Sequence, residues 1–198
     1  MQEITRGCSD LSIAGILDQN KALWGTQIAG VAVWGGDDQL PAVRTRGISH
    51  FLNGIGSAGP TERRARLYDQ AVGEGLVPVS LRHSTAWLAE SAQLGPGSQL
   101  LIRSVINTGA ILGANVLVNN GAIIDHDTVI GDHCHIAIGA LLGGNVTLGR
   151  GVHVGAGAVI REGIHIGDGA IIAAGAVVVA PVAPGQTVMG VPAKPKAT

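Results

Sequence analysis

The sequence predicts a mainly β protein, a parallel β-helix of six-residue repeats preceded by a shorter segment in which strands and helices alternate. Three observations lead there. Leu, Ile or Val recurs at every sixth position from Leu88 to Val178 without interruption. All five aromatic residues, Trp24, Trp34, Phe51, Tyr68 and Trp87, lie at or before position 87. Residues 1–83, by contrast, alternate short apolar runs with glycine-containing loops.

The repeat carries the strongest signal, because a period of six fits neither an amphipathic helix nor a plain alternating strand. It fits a short strand followed by a sharp bend, repeated around a prism. The aliphatic residue points inward and stacks on its equivalent in the next coil. The position four further on is small or β-branched, as in Ala122, Thr128, Cys134 and Ala140, and suits a corner where the walls converge. The position one further on is often Gly or Asn, as in Gly113, Asn119, Gly131 and Gly143; these residues tolerate the positive φ that corners demand. A solenoid buries its core only by stacking, so a long uninterrupted run is expected. The loss of aromatic residues after Trp87 fits an interior too narrow for large rings and places a boundary nearby.

In the amino-terminal part, residues 12–17, 28–34 and 48–52 read as strands. Asn53-Gly54-Ile55-Gly56-Ser57 is a glycine turn after the third of them, and Thr61 is placed to cap a helix running from Glu62 to about Gly73. Such β/α alternation builds a small parallel sheet with ligand loops at the strand ends.

Composition excludes several classes. A formal net charge of −1 gives no electrostatic reason to expect nucleic acid or an anionic membrane as partner. The two cysteines, Cys8 and Cys134, form no disulfide framework, which favours a reducing compartment. The start lacks the apolar core of a secretory signal, and residues 170–183 are too short to span a membrane and carry Gly175 and Pro181. The expectation is a cytoplasmic protein.

Taken together, GILDQNKALWG at 15–25, GVAVWGGDDQL at 30–40, NGIGS at 53–57, HSTA at 83–86, NNGAIIDHDTVIGDHCHI at 119–136 and GVPAK at 190–194 resemble the sugar O-acyltransferase family. That family includes sialic acid O-acetyltransferases and bacterial amino-sugar N-acetyltransferases. The hexads likewise look like the repeat of the hexapeptide acyltransferases, and this resemblance, not the period, implies a left-handed coil. It also implies a truncated Rossmann-like acceptor domain at 1–83, a β-helix acyltransferase domain at 84–182 and a CoA-contacting tail at 183–198. Family members open with a strand and a turn of the GxGGHA kind; here residues 1–10 look like the tail of the helix that follows it.

The resemblance implies transfer of an acetyl group from acetyl-CoA to an amino or hydroxyl group of a sugar, with a nucleotide-linked amino sugar or a sialic acid as acceptor. Such a reaction needs a base for the acceptor's proton and a donor for the developing oxyanion. His126 matches the family's general base and Asp127 the acidic residue supporting it. His135 matches a position that contacts acetyl-CoA. Gly144, eighteen positions after His126, stacks one coil away if three hexads make a coil, and its N–H then faces the oxyanion. Ala156 and Ala174 match backbone positions along the CoA groove, although small residues there equally serve packing. Asp18, Ser57 and Asn119 match acceptor-contacting positions. His133, His153 and His165 are assigned to exposed faces, and Cys134 to packing. In the family the chains assemble as a trimer with CoA bound between adjacent β-helices, so the resemblance implies a homotrimer and no metal.

Other readings stay open at this point. A γ-type carbonic anhydrase shares the solenoid, and His135 and His153, eighteen apart, could stack, but no trio has that family's spacing. A non-catalytic or ice-binding solenoid is disfavoured by scattered threonines. An acetyltransferase acting on a non-sugar acceptor differs only in the acceptor domain.

Overall fold

The computed structural model describes residues 11–196. The first feature it explains is the six-residue period: each hexad is a two-residue strand and a corner, and three hexads close one coil. Ile123 lies beside Leu141 and Ile124 beside Leu142, eighteen residues on. Among the described residues the prism therefore has three sheets, of eight, six and five strands, parallel except for the last strand of the first. The first face runs through Gln99–Leu100, Leu117–Val118, His135–Ile136, His153–Val154 and Ile171–Ile172. The second runs from Trp87–Leu88 through Ile123–Ile124 to Val177–Val178, and the third from Gln93–Leu94 through Val129–Ile130 to His165–Ile166. Successive coils are joined by backbone bonds such as Ile123 N–H to Ala140 O, 2.9 Å, and Asp125 N–H to Leu142 O, 3.0 Å. Within each strand the first side chain faces outward and the second inward. The inward column, Leu100 to Val178, is at most 2% exposed throughout, with the small column of Ala110, Val116, Ala122, Cys134 and Ala140 fully buried beside it.

The corner glycines serve a different purpose from the one their position suggests. Positive φ occurs three places after the inward aliphatic residue, at Arg103, Gly109, Asn115, Gly121, Asp127, His133, Gly139 and Asn145. The glycines one place after it do not have positive φ. At Gly131 a Cβ would lie 2.7 Å from the backbone of Gly149, and at Gly155 it would lie 2.5 Å from Ala174 N. They are glycine because neighbouring coils approach there.

The amino-terminal segment supplies β1 (Ile16–Leu17), β2 (Gln27–Ile28), β3 (Val31–Gly35), β4 (His50–Phe51), α1 (Glu62–Gly73) and β5 (Val77–Pro78). The predicted second strand is a hairpin, β2 pairing antiparallel with β3 across a turn in which Ala29 and Gly30 have positive φ. β1 pairs with β3 and β4 with β5, both parallel. α1 spans the predicted residues, but the Thr61 hydroxyl does not cap it; it donates to Gly151 O on the coil at 2.8 Å. The first coil strand is Leu81–Arg82, which pairs with Gln99–Leu100. The segment packs on the first face: Gln99 Nε2 donates to Asn53 O at 2.7 Å and Tyr68 OH to Pro96 O at 3.2 Å. At the far end Thr187–Met189 extends the first face in parallel with Ile171–Ile172, and Lys194–Pro195 folds back antiparallel on it. Residues 1–10, on which the expected helix tail falls, and Cys8 with them, lie outside the described residues. Among the described residues no helix is long and apolar enough to cross a membrane.

The two kinds of glycine respond differently to one substitution. Gly121→Asn, at φ +66° with open space around it, is expected to leave stability near that of the parent, as Asn115 and Asn145 already adopt this conformation. Gly131→Asn forces coils apart and is expected to cost about 1–3 kcal/mol. Equal melting temperatures for the two variants would refute the close-approach explanation.

Candidate functional site

The coil places two groups of polar residues on the two edges of the second face. The first is the corner after Ile123–Ile124. His126 Nδ1 lies 2.9 Å from Asp127 Oδ2, and both side chains are about half exposed, at 51% and 60%. The chain reaches this arrangement because Asp127 takes positive φ (56°), which turns its carboxylate back onto the preceding ring. His126 N–H donates to Asp125 Oδ1 at 2.8 Å, and Asp125 in turn accepts from Asn107 Nδ2 on the previous coil at 2.9 Å. The hydrogen bond from Asp127, then the charge of Asp125, hold the His126 imidazole above its ordinary value. With Nδ1 engaged, Nε2 is the outward nitrogen. Gly144 lies directly against it: a Cβ at that position would meet His126 Nε2 at 2.5 Å. The stacking expected for Gly144 is therefore present. Among the described residues, no acceptor bonds the Gly144 N–H.

The second group lies at the corner after the first face. Ser57, Asn119, His135, His153, Ala156 and Ala174 line one groove of about 470 Å³. Five of these six were singled out from the sequence; His153 was not, and the structure corrects its placement. Rather than facing solvent it is 6% exposed, and His133 is 2% exposed, because the amino-terminal segment covers the first face. His165, on the third face, is exposed as expected. The His135 and His153 rings meet edge to face with centroids 5.1 Å apart. Ser57 Oγ lies 2.8 Å from His135 Nδ1 and 3.3 Å from His153 Nδ1. Burial, then the neighbouring His153 and Arg64, push the His135 imidazole down to about 4; burial also lowers His153. Both are neutral at pH 7.

Arg64 builds this corner and no sequence signal announced it. Its side chain is 1% exposed, and its guanidinium donates to Ile55 O at 2.6 Å, Asn53 O at 3.4 Å and Asn115 O at 3.0 Å. Only carbonyls satisfy it, and burial pulls its pKa down to about 10. It ties the 53–57 loop to the coil and so fixes Ser57 over the histidines.

Asp18 stands apart from both groups. It follows β1 and lines a second cavity of about 530 Å³ with Trp34, Asp37, His50 and Leu40. Its Oδ1 accepts from Asn20 N–H at 2.8 Å and its carbonyl from Trp24 Nε1 at 2.7 Å. The larger cavity is mostly apolar and the titratable cluster lies in the smaller one. Cys134 is fully buried in the small inward column and burial raises its thiol to about 12, which leaves it inert. Among the described residues no three or more His, Cys, Asp or Glu groups are placed to hold a metal ion.

Comparison with known proteins matches residues 127–162 to the bacterial transferase hexapeptide (six repeats) and residues 145–180 to the hexapeptide repeat of succinyl-transferase. No curated protein matches by sequence. Among solved structures, the acetyltransferase domain of PglB from Neisseria gonorrhoeae in complex with acetyl coenzyme A is 30% identical over 98% of this chain and 91% of that one, with a TM-score of 0.85. PerB from Caulobacter crescentus, in complex with CoA and GDP-perosamine, is 32% identical over 98% of this chain and 90% of that one, TM-score 0.78. WeeI from Acinetobacter baumannii, at 21% identity over 98% and 92% and TM-score 0.62, shares the fold. The coil is accordingly the left-handed parallel β-helix, the hand that the period alone leaves open.

The buried neutral histidines predict an acid-sensitive fold. Between pH 6.5 and about 4 the unfolded chain binds protons that folded His135 does not, so stability falls as pH falls through that window. His126, exposed and shifted upward, adds an opposite slope only above 6.5. Calorimetry should show a melting temperature that declines on acidification below 6.5; a flat profile there contradicts burial of neutral imidazoles.

Proposed function

Because this chain belongs to the hexapeptide-repeat sugar acyltransferases, we propose that it transfers an acetyl group from acetyl-CoA to an amino or hydroxyl group of a sugar, with a nucleotide-linked amino sugar or a sialic acid as acceptor. The observation that carries the catalytic assignment is the His126 imidazole, held through Nδ1 by Asp127 with Nε2 presented over Gly144. In this reading Nε2 removes the proton from the acceptor amine or hydroxyl as it attacks the thioester carbonyl. The C–S bond then breaks, and the proton passes from His126 to the departing CoA thiolate. The unpaired Gly144 N–H stabilises the oxyanion that forms between these steps. The raised basicity of His126 suits it to accept a proton near neutral pH. His135, Ala156 and Ala174 hold the acyl-CoA in the groove, Asn119 and Ser57 border it, and Asp18 serves the sugar side.

If His126 is the base, His126→Ala retains its fold and CoA binding and loses about two to four orders of magnitude in turnover; near-normal turnover overturns the assignment. Asp127→Asn costs less, and because Asp127 raises the His126 pKa, its removal moves the acidic limb of the pH–rate profile to lower pH.

His126 and the groove occupy opposite edges of the second face, so one chain does not bring them together. That face carries an apolar outward ladder of Trp87, Val105, Ile123, Leu141, Val159 and Val177, with Trp87 60% exposed. We infer a cyclic homotrimer in which these ladders meet and the His126 edge of one protomer faces the groove of the next. The division of labour we assign is acceptor binding by 1–83, acyl transfer by 84–182 and closure over CoA by 183–198, in the cytoplasm. Light scattering at micromolar concentration is expected to give a trimer, and Leu141→Glu a monomer without activity; a wild-type monomer contradicts the assembly.

A further inference from the structure

The groove contains a chain of hydrogen bonds whose direction follows from one backbone group. Ser57 N–H lies 3.3 Å from His135 Nδ1 and has only a proton to offer. His135 Nδ1 therefore carries no proton, and the neutral ring carries its hydrogen on Nε2. Ser57 Oγ, 2.8 Å from that bare nitrogen, must donate its hydroxyl proton to it. At 3.3 Å from His153 Nδ1 the same oxygen is then an acceptor, so His153 is protonated on Nδ1. The order is His153 Nδ1–H to Ser57 O–H to His135 Nδ1.

A second backbone group orients Asn119. Asn120 N–H donates to Asn119 Oδ1 at 2.8 Å, which leaves the Asn119 amino group turned toward His135, with Nδ2 3.4 Å from Nε2. Flipping the amide would set its amino group against the Asn120 N–H at the shorter distance and is disfavoured. Both atoms that face each other at 3.4 Å are thus donors. Two donors do not bond one another; they converge on a third atom that accepts from both.

We propose that Ser57 and His153 are positioning residues that lock His135 as its Nε2–H tautomer, so that His135 Nε2 and Asn119 Nδ2 together bind one carbonyl oxygen of the ligand in the groove. The identity of that ligand as an acyl-CoA rests on the function proposed above. Its carbonyl belongs either to the thioester or to a pantetheine amide. An ammonium is excluded from the subsite, because it has no lone pair to offer the two hydrogens. His153 acts only through Ser57, and Arg64 fixes Ser57 by holding Ile55 O.

Imidazole nitrogen NMR on histidine-labelled full-length protein, without ligand, tests the lock by itself. His135 is expected as the Nε2–H form and His153 as the Nδ1–H form. Ser57→Ala and His153→Phe keep the Ser57 N–H and remove only the hydroxyl's share of the lock, so a minor Nδ1–H population of His135 is expected beside the Nε2–H form, and Ser57→Thr is expected to abolish it. His135 found with hydrogen on Nδ1 in the parent protein overturns the proposal. Calorimetry with acetyl-CoA and with free CoA tests the subsite. Loss of about tenfold in affinity for acetyl-CoA alone in Ser57→Ala assigns the oxygen to the thioester, and equal loss for both ligands assigns it to a pantetheine amide. Unchanged affinity for both, with an unchanged tautomer, overturns the proposal. Failure of the parent protein to bind either ligand refutes the acyl-CoA reading instead, and leaves the NMR result to decide the lock.

Discussion

The structure depends on the register of one coil on the next, eighteen residues apart. Each inward Ile or Leu is buried because its equivalents above and below occupy the same column, and most of the strand amides donate to carbonyls of the neighbouring coil. The same register sets His126 against Gly144 and His135 against His153. The placement of these side chains is therefore set by core packing, and at His126 it is completed by Asp127, whose left-handed backbone turns a carboxylate onto the ring before it, and by Asp125, which accepts from the His126 N–H.

The two edges of the second face have opposite electrostatic characters. Around His126, three acidic groups, Asp127, Asp125 and Glu162, raise the imidazole, which stands in solvent. Around His135, burial and the cationic Arg64 lower it. Two histidines nine residues apart are thereby separated in basicity, one shifted upward in solvent and the other downward in a buried corner. A reaction that needs one mobile proton and one constant donor is served by this division.

Much of this was legible in the sequence, because the hexad period is a one-dimensional record of the core. It located the faces, the corner of His126 and the stacking of Gly144. It was silent wherever the amino-terminal segment touches the coil. His153 and His133 occupy hexad positions that face outward in an isolated solenoid, and only docking of α1 and the 53–57 loop buries them. Arg64 reads in sequence as one cation on an amphipathic helix, since its partners are all backbone carbonyls and leave no complementary charge to find. The corner glycines were assigned to torsional need because composition does not distinguish a residue required for its φ from one required for the absence of a Cβ.

The eighteen-residue coil also limits how the gene can change. Inserting a single hexad keeps every aliphatic residue pointing inward and leaves the core intact, yet it rotates all later residues onto the next wall of the prism. Placed between His126 and Gly144, it would separate the two, and the His126 corner and the groove would no longer frame one apolar ladder. Whole coils added outside residues 126–144 leave both relations intact. Length variation in such proteins should accordingly be quantised, with intermediate lengths folding well and doing nothing.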